Sequence, residues 1–295
     1  MIIIHDKLNS PFKMSTVLLS ELERYYIIQG AELGCRTDGR ASNEYRPLEL
    51  GTGVLSHASG SASIRIGETH IMGCVKVEVG KPQLSRPSEG VIEINVECYP
   101  TAISGSTEKA AKEVAESLKS TLQNAYRADL VDLRHLCIVP GRQCWVVYID
   151  LLLLEGGGNF LDAASIVVKA ALMDSTRLLV NPGLDRSSTK ESTAQKQEQN
   201  LLPYFDEKRL PVFVTVHKVG SSHLVDPCTD EEACSLSRLS VAVYPDGSLG
   251  SLLQEGCGSC QLETIVEMSE LARIVGKQLN AAITRTLKLE QQLRS

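Results

Sequence analysis

Residues Leu151-Leu-Leu-Leu-Glu-Gly-Gly-Gly-Asn-Phe-Leu-Asp-Ala-Ala164 decide how this chain is read. An apolar run of strand length gives way to three glycines, and these feed the first turn of an alanine-rich helix. A glycine turn at a helix start leaves backbone amides free and faces the positive end of the helix dipole, which is the physics of an anion site. The side chains that follow do not complete it. Asn159, Phe160 and Leu161 come after Gly156, Gly157 and Gly158, so no arginine or lysine is present to clamp an anion. Asp162 is placed to cap the helix amides with its own carboxylate and to repel an incoming anion. The stretch is a phosphate-site scaffold whose working groups have been replaced.

Working outward, Cys144 to Leu154 is nearly all apolar and is expected to be a strand covered on both faces. Asp162 to Leu179 carries little charge and is expected to be a mostly buried helix. Upstream, Leu48–Val54, Ser61–Ile66, Thr69–Val79 and Gly90–Cys98 alternate as strands, with a hairpin turn at Gly67-Glu68. Thr107 to Arg127 has helical spacing, with Ala111, Val114, Ala115, Leu118, Leu122 and Ala125 on one face. A helix is expected over Ser15–Gln29. Ser20 and Glu23 suit its start, and Leu18, Leu19, Leu22, Tyr25 and Tyr26 supply its apolar side.

Downstream, Asn181 to Gln199 has no apolar period and reads as a linker. Pro211–Val219, His223–Val225 and Leu239–Tyr244 are strands, and Pro245-Asp-Gly-Ser248 is a turn. Gln261 to Leu293 is a long amphipathic helix with Ile265, Met268, Ala272, Val275, Leu279, Ala282 and Thr286 on its stripe. The order gives an α+β chain in two related halves. Its parts are an N-terminal extension and helix (1–43), a first domain (44–180), a linker (181–210) and a second domain (211–290).

The chain has 295 residues, 43% of them hydrophobic, with a net charge of −6. That balance excludes a broadly basic nucleic-acid surface while leaving room for a local basic stripe. Nine cysteines, an odd number, fit a reducing compartment. No secretory leader is expected, since Met1-Ile-Ile-Ile4 is too short and is ended by His5, Asp6 and Lys7. No run reaches the roughly 20 apolar residues of a membrane span, so a soluble intracellular protein is expected.

Six segments in order resemble one family. They are Arg36-Thr-Asp-Gly-Arg40, the hairpin Gly60–Val79, Cys144-Trp-Val-Val-Tyr-Ile-Asp150, Leu154–Ala163, Lys169-Ala-Ala-Leu172 and Val225–Ala233. Together they resemble the RNase PH fold, a ribosomal protein S5 domain 2-like core with a C-terminal α/β subdomain. Within it they resemble the ring subunits of the RNA exosome. The Cys-Trp strand and the Gly-Gly-Asn-x-x-Asp-Ala turn are similar to the non-catalytic type of subunit.

The resemblance implies several things. Phosphorolytic members attack the 3′ end of RNA with inorganic phosphate held by a Gly-Gly-Thr-Arg turn. The place of that arginine falls here at Phe160 or its neighbour. Active members also carry carboxylates in a Leu-Asp…Glu-Asp motif, matched here by Asp226, Glu231 and Glu232 with the last aspartate become glutamate. Read from the residues alone, this vestigial acidic motif is also a strand-to-turn and capping signal. The paired arginines of active members meet Gln123, Asn124, Ala125, Tyr126 and Arg127. The implied role is a structural subunit of a hetero-hexameric ring. Its expected partners are other RNase PH-like subunits, RNA-binding cap subunits and single-stranded RNA in the channel. The implied setting is nucleus, nucleolus and cytoplasm, with roles in rRNA maturation, small RNA trimming and mRNA turnover. The alternative is an active phosphate-dependent 3′-to-5′ exoribonuclease or a contributor to a composite site. An unrelated nucleotide-binding α+β enzyme would need a basic or hydroxyl partner near the loop, and the sequence offers none.

Lys112, Lys119, Arg127, Arg134 and Arg142 are the cations available for sequence-independent contact with RNA phosphates. Solvated helix lysines are the plainer reading of the first two. Cys257 and Cys260 with Cys228 and Cys234 form a weak zinc pattern, and neither metal nor cofactor is expected. The six histidines show no metal spacing, and Cys137 and Cys144 are expected in the core. Gly90–Cys98 and the helix at Ser15 are the surfaces expected to meet neighbours.

Overall fold

A computed structural model describes residues 18–103, 108–129, 133–180, 205–256 and 258–294. Two sheets and five helices account for them. The first sheet holds β1 (Leu48–Thr52), β2 (Gly60–Ile66), β3 (Thr69–Gly80), β4 (Val91–Cys98), β5 (Cys137–Val139) and β6 (Gln143–Glu155). Its order is β1-β2-β3-β6-β4, with β5 beside β6. Only β4 runs parallel to its partner, pairing Val91 with Val146 and Cys98 with Leu153. The second sheet holds β7 (Val212–Val219), β8 (Ser222–Val225), β9 (Ser237–Val243) and β10 (Leu249–Gly256), ordered β10-β9-β7-β8.

Period-2 patterning explains the first sheet. Ile64, Ile66, Ile71, Val75, Val147, Ile149, Leu151 and Leu153 are buried on one face, under α2 (Glu108–Asp129) and α3 (Phe160–Val180). The other face is more open than the apolar run of β6 predicts. Trp145, Tyr148, Leu152 and Leu154 are half-buried, and Asp150 is exposed. An antiparallel sheet needs cover on one side only, so β6 is not enclosed on both faces.

α3 is the common element. It packs on β2 and β3 of the first sheet and on β7 of the second, and every residue from Phe160 to Leu172 is buried. Its low charge is the reason it can be enclosed on two sides. Gly60 of β2 permits the closest approach. A Cβ there would stand 2.4 Å from the carbonyl oxygen of Ala171 and from the amide of Ser175. Midway along α3, Lys169 is fully buried. Its ammonium donates to the carbonyl of Leu210 at 3.1 Å and to Asn280 Oδ1 at 2.6 Å, tying α3 to α5 (Leu262–Arg294).

Two helices depart from expectation. The first, α1 (Glu21–Glu32), begins at a Ser20–Glu23 capping box rather than at Ser15. Leu22, Tyr25 and Tyr26, expected on its inner side, are exposed. Ile27 and Ala31 pack instead with Val219, Leu224 and Cys234. On α5 the buried line runs Met268, Ala272, Val275, Leu279, Ile283, Leu287, while Ala282 faces solvent. The helical period of 3.6 carries the stripe around the axis faster than the expected sequence of positions did. No helix among the described residues is long and apolar enough to cross a membrane. The expected linker lies largely outside the described residues, as does the extension 1–17.

Candidate functional site

The glycine turn joins the end of β6 to the start of α3. Gly158 has φ +91°, and a Cβ there would meet the backbone of Pro227 and Cys228 at 3.0–3.2 Å, so only glycine fits. Asn159 follows in the left-handed region, φ 55°. The turn is secured by its carbonyls. Arg46 donates to Gly157 O at 2.6 Å and to Gly158 O at 3.3 Å, and Thr69 Oγ1 donates to Gly158 O at 2.6 Å. Phe160 is buried, its ring lying against Gly156, so the position that the resemblance gives to a cation is part of the core.

The acidic motif closes over the turn from the second domain. Asp226, itself at φ 47°, is completely buried. Its carboxylate accepts from the Arg46 amide at 2.8 Å, from Arg46 Nε at 2.9 Å and Nη2 at 2.8 Å, from Arg40 at 3.2 Å and from Asn159 Nδ2 at 2.8 Å. Burial pushes this carboxyl up, but Arg46 and Asn159 outweigh burial and hold it below its ordinary value. Glu231 takes a bidentate grip from Arg36, at 2.9 and 2.5 Å, and accepts the Cys228 amide at 3.0 Å at the start of α4 (Thr229–Cys234). The motif does cap a helix, as its residue pattern allows, and it also anchors three arginines.

Glu232 does something else. Its Oε1 accepts the backbone N–H of Asn159 at 2.7 Å. That amide belongs to the turn that sequence reading assigns to an anion, so the negative group over the turn is Glu232. This corrects the role expected of Asp162. Asp162 is fully buried and caps no helix amide. It accepts from Tyr45 Oη at 2.7 Å, Asn159 Nδ2 at 3.0 Å, the Thr215 amide at 3.0 Å and Thr215 Oγ1 at 2.7 Å. Its position in the first turn of α3 allows a cap, but four donors from outside the helix claim its oxygens. Burial pushes its carboxyl up to about 6 against the pull of these hydrogen bonds.

Beside Glu232 lies a small crevice lined by Asn159, Phe160, His217, Glu232, Arg238 and Glu255, among others. Arg238 pairs with Glu255. His217 is 3% exposed, and its Nδ1 is buried with no hydrogen-bond partner among the described residues. Burial, with Arg238 nearby, pushes its imidazole down to about 3, so it is neutral. Glu232 is pushed above its ordinary value by burial, while the Asn159 amide and Arg238 pull the other way.

The expected RNA-facing cations are elsewhere. Lys112 is exposed on α2 and pairs with Glu108 at 2.7 Å. Lys119, two turns on, donates to Asn95 Oδ1 at 3.3 Å. Arg142 is exposed in the β5–β6 turn. None of these three lines the crevice. The side chains of Arg127 and Arg134 lie outside the described residues. The pairings of Arg36, Arg40, Arg46 and Arg238 are not legible in the sequence. The Arg36-Thr-Asp-Gly-Arg40 segment was a signal for the first two, whereas Arg46 and Arg238 have no local mark. Among the described residues no three His, Cys, Asp or Glu side chains gather as a metal site, and Cys257 lies outside them.

Comparison with known proteins follows the same outline. The family model for domain 1 of the 3′ exoribonuclease family matches residues 44–177, and that for domain 2 matches 209–275. An exosome complex component Rrp42 from Thermococcus kodakarensis is 32% identical over 92% of this chain and 97% of its own length. The component of the same name from Methanopyrus kandleri is 30% identical over 94% of this chain and all of its own. A chain of the Archaeoglobus fulgidus exosome with RNA bound to the active site superposes with a TM-score of 0.74 at 27% identity, covering 89% of this chain and 98% of that one. Rice Rrp46, at 20% identity over 86% of this chain and all of its own, shares the fold with a TM-score of 0.62. With both domain models matched in order along one α+β scaffold, this chain belongs to the RNase PH family of 3′ exoribonucleases.

Proposed function

We propose that this chain is a non-catalytic ring subunit of an RNA exosome, supporting 3′-to-5′ processing and degradation carried out by other subunits. Its neighbours are RNase PH-like subunits in a hetero-hexameric barrel, with RNA-binding cap subunits on top and single-stranded RNA passing through. The naming of its archaeal relatives supports the assembly. The observation that carries the catalytic silence is the state of the glycine turn. The position that the resemblance gives to a cation is the buried Phe160, and Asp226 is saturated by Arg46, Arg40 and Asn159. A bidentate arginine is what makes such a turn hold phosphate, and none is present at that position.

The subunit acts in nucleus, nucleolus and cytoplasm, as the resemblance implies. Lys112, Lys119 and Arg142 are the surface cations for sequence-independent contact with RNA. The test is release of nucleoside diphosphates from RNA and inorganic phosphate, by the purified chain alone and within its ring. No release is expected from the chain alone. In the ring, any release is expected to survive Asp226→Ala in this subunit. Release that disappears with that substitution while the ring stays assembled overturns the proposal in favour of an active or composite site.

A further inference from the structure

We infer that Glu232 is a tethered anion: its carboxylate occupies the phosphate seat of the glycine turn and keeps inorganic phosphate out. The inference rests on the reading of this turn as a silent phosphate site, and it names the residue that silences it.

Glu232 sits in α4, which is pinned in place by the neighbouring Glu231–Arg36 pair and by the Cys228 cap. From there its side chain spans to Asn159, 73 residues away in sequence, and ends at 2.7 Å from the backbone nitrogen. Asn159 is held at φ 55° with its side chain fixed between Asp226 and Asp162, so its amide cannot turn away. The resemblance places an aspartate where Glu232 stands. An aspartate is shorter by one methylene, about 1.5 Å, and from the same backbone position would stop short of the amide. The lengthened side chain therefore converts a carboxylate beside the seat into one within it.

The crevice around this contact keeps features of an anion site. The Asn159 amide precedes a helix of 21 residues, whose dipole favours negative charge. Arg238 lines the same space, and its charge acts on Glu232. His217 also lines it, 3% exposed, with Nδ1 lacking a partner among the described residues, so a buried polar atom awaits a ligand or a solvent molecule. Glu255 is the one other acid lining the crevice, and it is engaged by Arg238. A seated anion here is balanced, and the molecule supplies one from its own chain.

Four forms of the full-length chain test this with inorganic phosphate against chloride at matched ionic strength, read by calorimetry and thermal unfolding. The parent and Glu232→Gln, which keeps the reach and an acceptor oxygen, should show no phosphate-specific binding. Glu232→Asp and Glu232→Ala should bind phosphate saturably, at least about tenfold tighter than the parent, and adding Arg238→Ala to either should reverse the gain. Equal binding by the parent and Glu232→Asp, binding by Glu232→Gln, or no binding by folded Glu232→Asp and Glu232→Ala overturns the inference. Should the shortened variants not fold, the parent itself decides. Its Asn159 amide resonance should ignore added phosphate at neutral pH and move when Glu232 is protonated; movement with phosphate overturns the inference. Failure here leaves the silent-subunit reading standing, because that reading rests on the missing cation at Phe160 and falls on nucleoside diphosphate release by the chain alone or on release in the ring that Asp226→Ala abolishes.

Discussion

Arg46 and Asp226 share three hydrogen bonds, one through the Arg46 amide at 2.8 Å and two through its guanidinium at 2.9 and 2.8 Å. The remaining guanidinium donors of Arg46 reach the carbonyls of Gly157 and Gly158. One side chain from the first domain therefore holds both the acidic motif of the second domain and the turn that the motif covers. Replacing Arg46 by Met strands a buried carboxylate, and the expected loss is about 3–5 kcal/mol of stability. Urea unfolding of Arg46→Met, Asp226→Asn and the double variant checks it. The double variant should cost clearly less than the sum of the singles, and strict additivity would refute the coupling.

Asp162 gives the protein an acid-side preference at one position. Its carboxyl stands at about 6 in the fold against an ordinary 3.8, so between these values the folded state holds a proton that the unfolded chain has released. The contribution is fully present below about 3.8 and is lost as pH rises through about 6. Asp162→Asn should flatten the stability profile over that window. An unchanged slope would show that Asp162 titrates normally.

His217 acts in the opposite sense. Its imidazole is depressed to about 3 from 6.5, so its contribution is present above 6.5 and is lost as pH falls through about 3. Unfolding midpoints at stepped pH values should fall less steeply on the acid side for His217→Phe than for the parent. An equal fall in both would assign the acid sensitivity to other groups.

Lys169 governs the alkaline side. It is buried against two neutral oxygens and depressed to about 8 from 10.5. Its contribution is therefore present above 10.5 and is lost as pH falls through about 8. Lys169→Met should be less stable than the parent at pH 10, because Leu210 and Asn280 lose a donor. That deficit should shrink toward pH 7, where the parent carries a buried charge. A constant deficit would rule out the shifted ammonium.

Much of this fold could be read from local pattern. The β2–β3 hairpin follows from alternation around Gly67-Glu68, α1 from the Ser20–Glu23 box, and the enclosure of α3 from its lack of charge. What could not be read depends on distance along the chain. Nothing near Arg46 marks its pairing with a carboxylate 180 residues on, and nothing near Glu232 marks its contact with Asn159. Asp162 shows the limit most clearly. Its place in a helix's first turn is a sound reason to expect a cap, yet Thr215 and Tyr45, remote in sequence, outbid the local amides. Local rules locate the turn and the acids; only tertiary contact says which acid sits on which amide.

α3 is a wall shared by two rooms. Leu172 and Val167 belong to the same apolar cluster as Ile64 in one sheet and Val214 in the other, so neither half possesses a complete interior of its own. A fragment ending ahead of β7 would bare one flank of this helix to water, and a fragment beginning after it would lack the helix altogether. Damage to the interior of either half is therefore damage to both.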